Sequence, residues 1–375
     1  MSSFPDTPCF IVDERLLRRN LEILDSVRRR TGAKILLAQK AFSMYSVYPV
    51  LAEKLDGTCS SSPDEARLGR EYFPGEVHAF AAAYSERDLK TLLPLCDHLV
   101  FNTFHQWERF RPLTRPFDGK VSFGLRCNPE HSETETAIYD PCAPGSRLGI
   151  LRSLFPDSLP PEIEGLHFHT LCEKNADALV RTLSAFEEKF GDLIPKMKWV
   201  DFGGGHHITR PDYDADLLCN TILSFRKRYP GVRVYLEPGE AVALNAGTLE
   251  ATVLDVAWNG MDIAILDASA AAHMPDVLEM PYRPNITGAG LPGEKKYTFR
   301  LAGPSCLAGD VIGDYSFDEP LKPGTRLSFL DMAHYTMVKT NTFNGLRLPS
   351  IWLRKPDDSL NLIREFCYED FKSRL

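Results

Sequence analysis

Through the first 240 residues, short apolar runs alternate with amphipathic segments. The runs at 33–39, 57–61, 76–81, 98–102, 120–126, 163–169, 198–203 and 233–237 have the near-continuous hydrophobicity of strands buried on both faces. Between them, segments such as 63–72, 85–93 and 176–190 carry apolar residues at helical spacing and are long enough to recross a parallel sheet. Eight βα repeats of this kind predict an α/β fold, a (β/α)8 TIM-like barrel, with a doubly wound open sheet as the competing architecture. An earlier run at 7–12 predicts a strand, followed by a helix that Asp13 caps and whose Leu16, Leu17, Leu21, Ile23 and Leu24 form an apolar stripe.

After Gly239 the pattern changes. The β-rich runs at 248–256, 261–267, 297–302 and 325–330 are separated by Pro and Gly rather than by helices, which predicts an all-β C-terminal domain. The expected division is 1–240 for the barrel and 241–375 for the β-domain, with residues 1–12 able to pair with the latter.

The polar residues favour the barrel over the open sheet. Lys40, Ser60 to Ser62, Asn102, Arg126, His169, Gly203 to Gly205 and Glu237 all fall at or just after the C-terminal ends of the predicted strands. A barrel builds its active site on that face.

Composition excludes several classes. Hydrophobic residues make up 43% and charged residues 25% of the 375, as in ordinary globular chains, and the formal net charge of −8 provides no basic footprint for nucleic acid or anionic membrane. No run reaches the ~20 apolar residues of a membrane span. The start Met-Ser-Ser-Phe-Pro-Asp lacks the regions of a signal peptide, so a cytoplasmic protein is expected. Nine cysteines without a Cys-x-x-Cys pair suit reduced thiols in that compartment, and no structural metal is expected.

The candidate chemistry follows from position. Lys40 closes an apolar run, where a lysine is either a surface cap or a half-desolvated amine able to attack a carbonyl. Asp201-Phe-Gly-Gly-Gly-His-His ends a strand in a tight turn whose glycines would also let backbone approach a phosphate. Adjacent His206 and His207 lack the spacing of metal ligands. Glu237-Pro-Gly-Glu240 fixes a carboxylate at a strand end, suited to a salt bridge or to holding a proton on a pyridine nitrogen. His167 and His169 alternate, so one strand face carries both imidazoles, and His169 is the better placed to pack on a flat ring. In the β-domain, Gly303-Pro-Ser-Cys306-Leu-Ala-Gly-Asp310 puts a thiol on a turn, either as a small core residue or as a proton donor. Tyr335 is either core or a donor to an anion.

Taken together, the strand-end lysine, histidine, triple glycine, Glu-Pro-Gly and Gly-Pro-Ser-Cys resemble the fold-type III pyridoxal-phosphate enzymes, which include alanine racemases and the ornithine, arginine and diaminopimelate decarboxylases. Within that group, Ala-Gln-Lys-Ala-Phe-Ser, Gly-Leu-His-Phe-His-Thr-Leu-Cys-Glu, Asp-Phe-Gly-Gly-Gly-His-His and His-Tyr-Thr-Met-Val-Lys-Thr look like the carboxynorspermidine/carboxyspermidine decarboxylases of polyamine biosynthesis. The resemblance implies pyridoxal 5'-phosphate as cofactor, bonded to Lys40, stacked on His169 and paired at its ring nitrogen with Glu237. Gly204, Gly205, Gly239 and Tyr335 would hold the phosphate. Arg126 and Arg147 would lie near the cofactor or the substrate carboxylate. It further implies a homodimer, with active sites at the subunit interface and Cys306 contributed by the second subunit as proton donor.

One departure stands out: ornithine-type relatives place arginine after Glu-Pro-Gly, where this chain has Glu240. A carboxylate there suits an ammonium group of a long polycation. Asp276, Glu279 and Asp310 would extend the acidic lining beside His273, so a carboxylated polyamine longer than ornithine is the expected substrate. Another decarboxylase of the group, a racemase, and a non-catalytic regulator of the same fold are the competing readings.

Overall fold

The computed structural model describes residues 4–134 and 139–375. They form two units, one of Arg18–Val242 and one that joins the residues up to Leu17 to Ala243–Leu375. Strand β1 (Cys9–Asp13) belongs to the second unit.

In the first unit, β2 (Lys34–Ala38), β3 (Gly57–Ser60), β4 (Glu76–Phe80), β5 (His98–Phe101) and β6 (Ser122–Asn128) pair in parallel, each with the next. A two-residue strand, β7 (Ile150–Leu151), pairs with the end of β6 and takes no part in closure. β6 then pairs with β8 (Ile163–His167), which pairs with β9 (Trp199–Asp201). β9 pairs with β10 (Arg233–Leu236), and β10 returns to β2, closing an eight-stranded parallel barrel.

The helices begin where local chemistry satisfies their free N–H groups. Ser62 Oγ accepts from Glu65 N at 3.2 Å ahead of Pro63–Tyr72, and Ser85 with Asp88 forms a reciprocal capping box on Glu86–Leu92. Asn175 caps Ala176–Phe190, whose buried stripe includes Leu179, Leu183, Phe186 and Phe190.

Inside the barrel, large side chains face small ones. The Trp199 indole packs in a buried cluster with Leu36, Val100 and Tyr235. It fits because a Cβ at Gly165 would lie 2.0 Å from its ring, and one at Gly124 2.4 Å. The same end holds a polar network: Tyr235 donates to Glu76 at 3.0 Å, Glu76 pairs with Lys34, and the His78 and His98 rings stack at 3.9 Å. Lys34, Glu76 and His98 stand at or near the starts of their strands, whereas His78 and Tyr235 lie further along them.

The second unit is an eight-stranded sheet. It contains β11 (Gly247–Trp258), β12 (Asp262–Leu266), β13 (Tyr297–Ala302), β14 (Val311–Phe317), β15 (Arg326–Leu330), β16 (Ser350–Arg354) and β17 (Leu360–Arg364). β1 lies between β11, antiparallel to it, and β16, parallel to it. No helix among the described residues is long and apolar enough to cross a membrane.

Candidate active site

At the C-terminal ends of the barrel strands, a cavity is lined by Ala38, Lys40, Cys59, Ser60, Phe80, Arg126, His167, His169, Gly204 and Glu237, among others. Of the residues expected here, Lys40, Arg126, His169, Gly204 and Glu237 come together from the ends of β2, β6, β8, β9 and β10. Lys40 follows β2 across Gln39. That glutamine is held from both sides, accepting from Ser60 Oγ at 2.8 Å and donating to Tyr48 Oη at 3.0 Å. The lysine side chain is exposed, yet its backbone is anchored by a buried network.

Glu237 lies under the cavity, with His167 Nε2 3.4 Å from its carboxylate. Burial alone would push its pKa up. The His167 hydrogen bond and the charges of His167, His78 and Lys40 outweigh that and bring it down to about 2. Asp201, buried beside it, moves the other way: burial and the Glu237 charge hold its carboxyl well above the usual range. The two carboxyls are thus pushed apart, Glu237 toward the ionised form and Asp201 toward the protonated one, while Asp201 Oδ1 accepts from Gly203 N at 2.8 Å.

His169 accepts from Gly204 N through Nδ1 at 2.7 Å, which fixes the ring and leaves any proton on Nε2. Burial, then the charges of Lys40 and Arg126, lower its pKa well below the ordinary value, so the imidazole is neutral. Arg126 donates to His169 O at 2.9 Å and lies 4.5 Å from the Phe80 ring centre. Burial brings its pKa down to about 10.

Gly204 was expected to cradle a phosphate. Its N–H is committed to His169, so its contribution is to orient that ring. Gly205 (φ 81°) and Gly239 keep backbone free of side chains: a Cβ would lie 1.9 Å from Leu171 O at Gly205 and 2.6 Å from Ala41 Cβ at Gly239. Asn102 braces the neighbouring loop, donating to Arg147 O at 2.7 Å and accepting from Gly149 N at 2.8 Å, while the Arg147 side chain is exposed. Glu240 pairs with His207 at 3.1 Å.

The remaining expected residues lie in the second unit. Cys306 is exposed on its turn. Tyr335 is half-buried with a left-handed backbone, φ 45°. Three residues of the expected acidic lining already have partners within the second unit. Asp276 and Glu279 both pair with Lys339, which offsets one of their two charges. Asp310 is buried and accepts from Ser305 Oγ at 2.6 Å, Ser269 Oγ at 2.8 Å and Ala271 N at 3.2 Å, so it fastens its own turn. His273 is buried, accepts from Ser269 N at 3.2 Å, and burial lowers its pKa to about 4.

At the level of sequence, Asp201 had no role beyond opening its glycine motif, and Cys59 and Phe80 had none. Each stands within or at the end of a barrel strand, a position that was read only for residues with familiar chemistry.

The donor set fits a pyridine ring with an aldehyde and a phosphate. A strand-end amine, a flat neutral imidazole and a buried ionised carboxylate converge, with open glycine backbone beside them. Comparisons with known proteins agree. Residues 9–333 match the family model described as pyridoxal-dependent decarboxylase, C-terminal sheet domain. The chain is 44% identical to a carboxynorspermidine/carboxyspermidine decarboxylase of Campylobacter jejuni, over 98% of each chain. It is 43% identical to a carboxyaminopropylagmatine decarboxylase of Synechocystis sp., over 100% of this chain and 96% of the relative. Among solved structures, carboxynorspermidine decarboxylase from Campylobacter jejuni complexed with norspermidine superposes with a TM-score of 0.91 at 43% identity, covering 99% of this chain and all of that one. The chain belongs to the pyridoxal-dependent decarboxylases.

Proposed function

We propose that this enzyme decarboxylates carboxynorspermidine, carboxyspermidine or both, forming the corresponding triamine, with pyridoxal 5'-phosphate as cofactor. The observation that carries the substrate is the 44% identity over essentially the full length of a relative named for those two compounds. The similar identity to a carboxyaminopropylagmatine decarboxylase supports a second reading, in which the distal group is a guanidine.

When bound, pyridoxal phosphate supplies a conjugated ring that accepts the electron pair left on the substrate carbon as CO2 departs. Lys40 provides the amine for its aldehyde. His169 offers a fixed, neutral ring face. Glu237, ionised through the working range, keeps a proton on the pyridine nitrogen, which makes the ring a better acceptor. Gly205 and Gly239 leave room for the phosphate, toward which Tyr335 is assigned as a hydroxyl donor. Arg126 and Arg147 supply positive charge for the departing carboxylate or the cofactor. Cys306 gives its thiol proton to the carbon that lost CO2. Glu240 takes a distal ammonium, with His207 competing for the same carboxylate.

The test is CO2 release by the pyridoxal-phosphate-loaded protein, offered carboxynorspermidine, carboxyspermidine, carboxyaminopropylagmatine, ornithine and diaminopimelate in parallel. Release from the carboxylated triamines supports the first reading. Release only from the guanidino compound selects the second, and release only from an amino acid overturns both.

We also propose a homodimer whose active sites draw on both copies. Mixing inactive Lys40→Ala with Cys306→Ala protein, under conditions that exchange subunits, is expected to restore part of the wild-type product yield. No gain despite demonstrated exchange would overturn the shared site.

A further inference from the structure

Cys306 sits on an exposed turn, where a thiol would ordinarily sample many directions. Its backbone is nevertheless held at both ends. On one side Asp310 ties Ser305 to the start of the helix Ala270–His273, through Ser269 Oγ and Ala271 N. On the other, Asn344 Oδ1 accepts the Cys306 N–H at 2.8 Å, a contact across 38 residues of chain.

Asn344 is itself costly to place. Its φ of 55° lies in the left-handed region, and Gly345 beside it has φ 70°. Four contacts surround that loop. Asn341 Oδ1 accepts from Phe343 N at 2.9 Å, and Asn341 Nδ2 donates to Ala271 O at 2.8 Å, on the same helix start that Asp310 holds. Arg374 of the C-terminal segment donates to Thr342 Oγ1. Phe371 of the helix Tyr368–Lys372 lies under Gly345, 3.7 Å from where a Cβ would stand. Loop, helix start and C-terminal segment thus converge on a single backbone N–H, that of the cysteine.

We propose that Asn344 is the positioning residue for Cys306: it aims the thiol so that its proton reaches the decarboxylated carbon. This rests on the assignment of Cys306 as proton donor. The S–H bond breaks, the new C–H bond forms with the electron pair that CO2 left behind, and the thiolate is later reprotonated by solvent. When the thiol is misaimed, protonation by solvent at the cofactor's aldehyde carbon, followed by hydrolysis, would leave the amino group on the cofactor and an aldehyde in place of the triamine, so CO2 would be released without an equal yield of triamine.

The experiment compares wild type, Cys306→Ala, Asn344→Gly and Asn344→Asp. Glycine keeps the left-handed backbone but removes the acceptor, whereas aspartate keeps both. Two readouts are taken: the ratio of triamine formed to CO2 released, and the iodoacetamide alkylation rate of Cys306 in protein without cofactor, with exposed Cys367 as internal reference. The expected result is a lower ratio in Cys306→Ala and in Asn344→Gly, recovery of the ratio in Asn344→Asp, and a several-fold faster alkylation of Cys306 relative to Cys367 in Asn344→Gly. If Cys306→Ala lowers the ratio and Asn344→Gly leaves ratio and alkylation as in wild type, the positioning role is overturned. If Cys306→Ala itself leaves the ratio at wild type, the assignment of the donor fails and the proposal falls with it. Should Asn344→Gly fold poorly, Arg374→Gln loosens the same loop from its other side and is read in the same way.

Discussion

Two acids side by side at the base of the cavity, Glu237 and Asp201, divide their roles by environment. Glu237 has His167, His78 and Lys40 to offset burial, whereas Asp201 has burial and a negative neighbour. Asp201→Asn, close in shape to a protonated carboxyl, should therefore keep most of the activity. Glu237→Gln should lower kcat on the order of 10²-fold if, as proposed, its charge faces the cofactor ring. Steady-state kinetics on the two variants checks this, and equal losses would contradict the division of charge. Because the Glu237 pKa is brought down to about 2, the acid limb of the kcat profile should arise from other groups. Glu240 is the expected acid that remains beside the barrel mouth, its carboxylate 3.1 Å from His207. Glu240→Gln should raise KM far more than it lowers kcat, and an unchanged KM would remove its role in binding the distal ammonium.

At the scale of elements, the glycine turn after β9 is built around backbone contact. Gly205→Ala would set a methyl group 1.9 Å from Leu171 O at a φ of 81°, and should cost more than ~1 kcal/mol, since both the conformation and the space oppose a side chain. Urea unfolding measures the loss, and a shift below a few tenths would mean the turn can open. The barrel was legible in the sequence because most of its strands are apolar runs closed by a polar residue or glycine, and helices between them have local caps at Ser62, Ser85 and Asn175. The second unit was less so. β14, β16 and β17 were passed over, since β17 alternates toward solvent and its neighbours lie among charged turns, where a short half-exposed strand has little pattern of its own. Several residues that line the cavity could be read from their strand-end positions. Which acids already have a cationic partner could not: the Lys339 pairing with Asp276 and Glu279 spans some sixty residues and leaves no local signal.

Across the whole molecule, several imidazoles are buried in the neutral form. Burial lowers the pKa of His206 and His273 to about 4 and, with the charge of His78, that of His98 to about 2. In the unfolded chain each takes up a proton near the ordinary value of 6.5. Below that pH the unfolded state binds more protons than the folded one, so stability is full above it and falls as pH drops toward 4. Thermal unfolding followed from about pH 7 to about pH 4.5 should show Tm declining before most carboxylates titrate. A flat Tm across that window would mean these rings are solvated. The placement of β1 has a consequence for synthesis. Its Cys9, Phe10, Ile11 and Val12 are buried between β11 and β16, with Cys9 opposite Ser350. The ribosome makes this apolar strand before the barrel and its sheet partners only afterwards, a delay on the order of tens of seconds at ordinary translation rates. For that interval the nascent chain carries an unpaired hydrophobic strand, which makes it a natural substrate for a holding chaperone.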